Sequence, residues 1–157
     1  MTRDRARAVR GTRVVDRVPR NRGTVTTMLG ALGADGMRAL MTYEGATTGE
    51  IFALFVQEAL VPTLRPGNVV VMDQLGAHKI KRVREMIEAA GARLLFLPPY
   101  HPDLNPIENA WSKVKTALRR IAARTRDRLE EAIFSVCWDL TARDAAGWFQ
   151  HCGYQLE

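Results

Sequence analysis

Leu94-Leu-Phe-Leu-Pro-Pro-Tyr-His-Pro-Asp-Leu-Asn-Pro-Ile-Glu-Asn-Ala-Trp111 is the stretch on which the fold turns. Arg93 to Leu97 reads as a short apolar strand, stopped by Pro98 and Pro99, which cannot donate to a ladder. Beyond them Asn105 stands at a helix N-cap position, Pro106 at the first helical residue and Glu108 at the third, the pattern of a capping box. Upstream, Val69-Val-Val-Met-Asp73 is a second apolar strand, ending in a carboxylate. Two acids at the mouths of adjacent elements, on a chain rich in arginine, point to a metal site that works on a phosphate backbone. Each acid alone has a plain structural explanation, Asp73 as a turn former and Glu108 as part of a helix start. The functional argument therefore rests on the pair.

The flanking sequence supplies the rest of an α/β pattern. Thr24 to Leu32 is β-branched and apolar, Gly33-Ala-Asp-Gly36 has turn chemistry, and Met37 to Tyr43 reads as the return strand of an antiparallel hairpin. Thr48-Gly-Glu50 caps a helix with Ile51, Leu54, Phe55, Ala59 and Leu60 at helical spacing. Val69 to Met72, apolar on both faces, has the composition of a covered interior strand. Lys79 to Ala90 is an amphipathic helix ended by Gly91, Asn105 to about Ala123 a long helix, and Thr125 to Trp138 another. The tail from Thr141 starts as a helix, with Trp148 and Phe149 as packing residues. Parallel strands joined through helices after a hairpin give a mixed sheet with helices on both faces. Ligands in such sheets gather at the carboxyl ends of strands, where Asp73 lies. On the long helix Ile107, Trp111, Val114, Leu118 and Ile121 share a core side, while Glu108, Ser112, Lys115 and Arg119 form a polar stripe. That stripe either takes phosphates or simply faces solvent.

At 157 residues and 46% hydrophobic content the chain fits one domain with an ordinary core. No run approaches a membrane span, and no apolar signal core follows Met1-Thr-Arg-Asp-Arg5. Cys137 and Cys152 lack metal-type spacing and read as plain thiols of a reducing cytoplasm. The net charge of +6 resides entirely in residues 1–23, where eight arginines face Asp4 and Asp16. A basic arm on a neutral body is the footprint of a polyanion binder, or a solvated leader.

The segment from Val69 to Lys79, the 34 residues between Asp73 and Glu108, and the run from Pro98 to Trp111 together resemble the catalytic domain of mariner-type DDE transposases, most closely their bacterial insertion-sequence branch. The likeness runs from about Thr24 to Arg120. It implies a ribonuclease-H-like fold, as in retroviral integrases, over residues 24–157, with residues 1–23 as a basic arm or loop. It makes Asp73 the second and Glu108 the third catalytic, metal-holding acid. His78 would touch metal-bound water or DNA, or be only a helix-start histidine. Gln74 stands where asparagine is usual, and its extra methylene loosens the surroundings of the metal. Asn105 neighbours the third acid, and His101, where serine is common, tunes its loop. Arg13, Arg20, Arg22, Lys79, Lys115 and Arg119 are candidates for the DNA backbone. The implied cofactors are two Mg²⁺ or Mn²⁺ ions, and the implied partners double-stranded DNA, at transposon ends and target, and further copies of the protein. The implied reaction is hydrolysis at the transposon ends followed by attack of the freed 3′-hydroxyl on target DNA, in the bacterial cytoplasm at the nucleoid.

A two-metal site needs a third acid. In the family it lies on the first, central strand, ahead of the hairpin. Here Asp4 and Asp16 are flanked by arginines and Asp35 sits in the hairpin turn. The expectation is that this strand and its aspartate lie upstream of Met1, and that the chain alone is marginally stable and inactive. Two other readings stay open: a non-catalytic DNA-binding transposase remnant, and another ribonuclease-H-like nuclease.

Overall fold

The strands Thr26–Gly33 (β1) and Gly36–Glu44 (β2) form the expected antiparallel hairpin, seen here in a computed structural model that describes residues 8–13 and 24–156. Gly36, at φ +128°, takes a backbone shape that side chains disfavour and closes the turn. Thr26 lies opposite Glu44 and Ala31 opposite Ala39, but Leu32 then faces Met37, so Arg38 is the extra residue of a bulge. The bulge puts Met37 and Leu40 on one face although they are three residues apart. Met28 and Leu32 join that face, while Leu29, Ala31, Ala39 and Met41 line the other. Asp35 accepts a 2.8 Å hydrogen bond from Arg38 Nε and steadies the bulge.

Helix α1 (Gly49–Phe55) starts at Thr48, whose hydroxyl accepts from the Ile51 amide. Its hydrogen bonding widens to a π-helical turn over Val56–Leu60, then tightens to a 3₁₀ turn at Val61–Thr63, where Pro62 has no N–H to continue it. The buried stripe is Phe52, Val56 and Leu60, at four-residue spacing. Leu54, expected in the core, points away from that stripe and is 51% exposed. Strands β3 (Val69–Met72) and β4 (Arg93–Phe96) pair in parallel, Val69 beside Arg93 and Met72 beside Phe96. Helix α2 (Lys81–Ala89) connects them. It begins later than Lys79 because Gly76–Lys79 forms a 3₁₀ turn.

Where one mixed sheet was expected, the described residues hold two sheets of two strands. Nor is β3 a covered strand: Val69 is exposed and Val70 and Val71 are only half-buried, because β3 pairs with β4 alone. Helices α3 (Pro106–Ile121), α4 (Arg126–Trp138) and α5 (Ala142–His151) complete the chain. The core side of α3 is Ala110, Val114 and Leu118, with Trp111 against it. Ile121 lies outside that core, half-exposed, where the helix ends at the left-handed Ala122 (φ 52°).

Helices do flank the hairpin on both faces. One core gathers Phe52, Val56, Val83, Ile87 and Leu94 against Ala39; the other gathers Val114, Leu118, Ile133 and Cys137 against Met37 and Leu40. A fully buried leucine such as Leu118 contributes about 2 kcal/mol. Burial pushes the Cys137 thiol up to about 11, so it stays protonated. Helix α5 opens with a capping box that the sequence reading missed, Thr141 and Asp144 each accepting from the other's amide. The Lys113 ammonium, 2.6 Å away, and the Thr141 hydroxyl hold the Asp144 carboxyl down at about 2. No helix of the described residues is long and apolar enough to cross a membrane.

Candidate functional site

Met72 ends β3 inside the core, and Asp73 is the first residue beyond it, with half of its side chain exposed. Its Oδ1 accepts from the Leu75 amide at 3.0 Å, a turn that fixes the carboxylate. The 3₁₀ turn at Gly76–Lys79 then brings His78 back, its Nδ1 only 2.6 Å from the same Oδ1. No hydrogen bond forms there: His78 Nδ1 is a buried polar atom with no hydrogen-bond partner among the described residues. Phe52, its ring centroid 4.2 Å away, supports the imidazole from beneath. Both of these contacts fall on Oδ1.

The second acid arrives from the other direction. After β4 the chain passes Pro98 and Pro99 to Tyr100, fully exposed and left-handed at φ 62°, then a 3₁₀ turn at Pro102–Leu104 and α3. His101 keeps to its own loop, Nδ1 2.7 Å from the Pro99 carbonyl. Asn105 holds the N-cap position but its side chain caps nothing, so the capping box read from the sequence does not form. The Asn105 backbone is engaged instead, its N–H donating to the Pro102 carbonyl at 3.0 Å and its carbonyl accepting from the Glu108 amide at 3.1 Å. With its φ at −109° and ψ at 100°, Asn105 is extended enough for the chain to enter Pro106 without help from its amide. Glu108 is therefore released from capping duty. It is an exposed carboxylate in the first turn of α3, where the helix dipole favours negative charge.

Asp73, His78, Asn105 and Glu108 line one cleft of about 440 Å³ between β1, β3 and the start of α3. Two hard oxygen donors in one cleft can hold a divalent cation with water in its remaining positions. The described residues contain no group of three acidic, histidine or cysteine side chains placed to share one ion. Gln74, expected beside the metal, is used otherwise: its Nε2 donates to the Leu97 carbonyl at 3.0 Å and its Oε1 accepts from Lys79. It ties the end of β3 to the end of β4. Lys79 and Lys115 are exposed, Arg119 is half-buried, and none lines the cleft. Arg13 is exposed beyond the Val9–Thr12 turn, and Arg20 and Arg22 lie outside the described residues.

The sequence reading missed the tail. Tyr154 donates to the Leu104 carbonyl at 2.9 Å and Asn109 contacts Cys152 Sγ, which clasps the end of α5 to the entry of α3. Tyr154 and Phe149 line the cleft beside Glu108 and stack edge to face. Nothing local in the sequence signals a contact across fifty residues. Trp111 was legible as a core residue, but its partner was not. A Cβ on Gly30 would lie 2.8 Å from the Trp111 ring, so only glycine lets α3 settle this close to β1.

Residues 1–130 match the family model of the DDE superfamily endonuclease domain, and the chain belongs to that family. Its architecture is the ribonuclease-H-like one of mariner transposases. Two solved structures, a Mos1 transposase paired-end complex with left transposon end and a Mos1 mariner paired-end complex with Mn, are similar at a TM-score of 0.71. They share 14% and 15% sequence identity with it, and the match covers 95% of this chain and 47% of theirs. The chain thus spans about half the length of the solved chains it matches. No curated protein matches it.

Proposed function

We propose that this chain carries two of the acids of a transposase active site, Asp73 and Glu108, and that it serves to cut and join DNA at the ends of an insertion sequence. The observation that carries this is their convergence: with 34 residues between them in sequence, they line the same cleft. Asp73 Oδ2 and the Glu108 carboxylate would hold Mg²⁺ or Mn²⁺, hard cations that suit oxygen donors. Such an ion, when bound, polarises a phosphodiester and lowers the pKa of attacking water. The protein's own residues do the positioning. The Leu75 amide and His78 aim the Asp73 carboxylate, and the Tyr154 clasp fixes the helix that carries Glu108. Gln74 acts in this scheme as a strand tie, and His78 as a positioning residue beside Asp73. The cleft's two carboxylates make an incomplete two-metal set among the described residues.

The proposed substrate is double-stranded DNA at element ends and target, gripped along its backbone by Lys79, Lys115, Arg119 and the arginines of residues 1–23. The proposed working form holds more than one copy, in the cytoplasm at the nucleoid. Titrating the chain with Mn²⁺ and following paramagnetic broadening of amide signals tests the metal reading. Broadening should centre on Asp73 and Glu108, and Asp73→Asn or Glu108→Gln should weaken it at least about tenfold without changing the fold. Unchanged broadening in both variants would reduce the two acids to a turn former and a helix-start residue.

A further inference from the structure

We propose that the loops leaving β3 and β4 form a nucleotide-binding rim beside the acids, where Tyr100 stacks on an unpaired base, Leu75 flanks it and Lys79 holds a neighbouring phosphate. The inference rests on the reading of the cleft as a DNA-cutting site and adds a preference for open over closed duplex. Leu75 and Tyr100 are large apolar side chains left in the open, 52% and 99% exposed. Leu75 lies two residues beyond Asp73, and Tyr100 lies on the loop from β4 to the helix that carries Glu108. Neither belongs to a core, and neither lines the cleft.

The two loops are fixed to each other. β3 and β4 end side by side at Met72 and Phe96, and the Leu97 amide extends that pairing to the Met72 carbonyl at 2.8 Å. Gln74 crosses between the loops, donating to the Leu97 carbonyl and accepting from the Lys79 ammonium at 3.1 Å. A cation is thereby tethered to the brace that joins the two loops. On one side Leu75 is held in its turn, its amide on Asp73 and its carbonyl accepting from the His78 amide at 2.9 Å. On the other, Pro98, Pro99 and Pro102 stiffen the backbone around Tyr100. Tyr100 itself is left-handed at φ 62°, a shape in which a bulky side chain is strained. Its exposed ring returns no burial to the fold, so neither packing nor backbone preference accounts for its position. An aromatic ring on stiff backbone with its faces open is a stacking platform, because every base has a π-face. Bases inside a duplex cover those faces with their neighbours, whereas an unpaired base offers one. Leu75 adds apolar contact, and Lys79 adds charge for the phosphate. Base and phosphate together match this set better than an apolar peptide, which would leave the cation unmatched.

The test is binding of the whole chain, in EDTA so that no metal takes part, to two duplexes of about twenty base pairs. One is closed; the other has about three mispaired positions at its centre, with 2-aminopurine among them. The open DNA should bind at least about tenfold more tightly, with its 2-aminopurine fluorescence quenched. Tyr100→Ala should lose both the quenching and the preference, and Tyr100→Phe should keep them. Closed duplex, gripped through its backbone, should bind all three chains alike. Tyr100→Gly, suited to a left-handed backbone, should lose the preference at an unchanged or higher melting temperature. Equal affinity of the wild-type chain for the two DNAs would overturn the rim and leave the DNA reading standing; binding of neither would overturn both. A preference intact in Tyr100→Ala, or lost in Tyr100→Phe, would overturn the stacking. A lowered melting temperature in Tyr100→Gly would make the ring a structural residue and overturn it too.

Discussion

The hairpin sheet and the parallel pair are built from similarly apolar strands, yet their surroundings differ sharply. In β2, Met37, Ala39 and Leu40 are buried, and a core lies on each face. In β3 only Met72 is buried, and Val69 is 43% exposed. The hairpin closes through a four-residue turn and a bulge that its own sequence supplies. The parallel pair is four residues long, needs α2 to bring its strands together, and has one edge facing the cleft. Apolar composition marks a strand, then, but whether that strand is covered depends on which neighbour reaches its edge.

Four measurements would break or sharpen this contrast. Leu118→Ala, deep in the hairpin-side core, should cost about 2–5 kcal/mol, read as a lower urea midpoint at unchanged slope. Val71→Ala in β3 should cost under about 1.5 kcal/mol, since that side chain is only partly buried. Equal losses would erase the distinction between the two sheets. Gly30→Val should cost about 1–3 kcal/mol, because the new side chain meets the Trp111 ring; an unchanged melting temperature would place that ring elsewhere. Thr141→Ala removes a cap and should cost about 1 kcal/mol.

The smallest effect is the acid limb of Asp144. Its carboxyl lies at about 2 in the folded chain, below an unfolded value of about 3.9, so its stabilising share is complete above the unfolded value and is lost as pH falls toward the folded one. Asp144→Asn should flatten stability against pH between about 4 and about 2. A variant whose acid limb overlays that of the wild-type chain would reduce the Lys113 contact to an incidental surface pair.

Much of this was legible in sequence because it is local. Thr48 caps its helix where the spacing said it would, Gly36 turns the hairpin, and the Pro106 helix starts as read. The fold and family followed from the motif around Asp73 and Glu108, and their shared cleft from the placement of strand end and helix start. What sequence could not give depends on geometry across the chain. The bulge at Arg38 changes which residues share a face without altering composition, and the π-helical turn at Val56–Leu60 lies inside an ordinary helical pattern. Asn105 has every local qualification for a cap and does not cap. Gln74 looked like a site residue because of its neighbours in sequence, while its amide reaches a carbonyl twenty-three residues away.

β2 contributes Ala39 to one core and Met37 and Leu40 to the other. The partners of these side chains come from α1, α2, α3 and α4, all beyond the loop at Gly45–Thr47. A protease that nicked that loop would sever the peptide chain but not the molecule, since the released hairpin would still be held on both sides. Among the described residues the two cores are in this sense indivisible: a cut beyond the hairpin leaves neither of the two pieces it makes with both interiors whole.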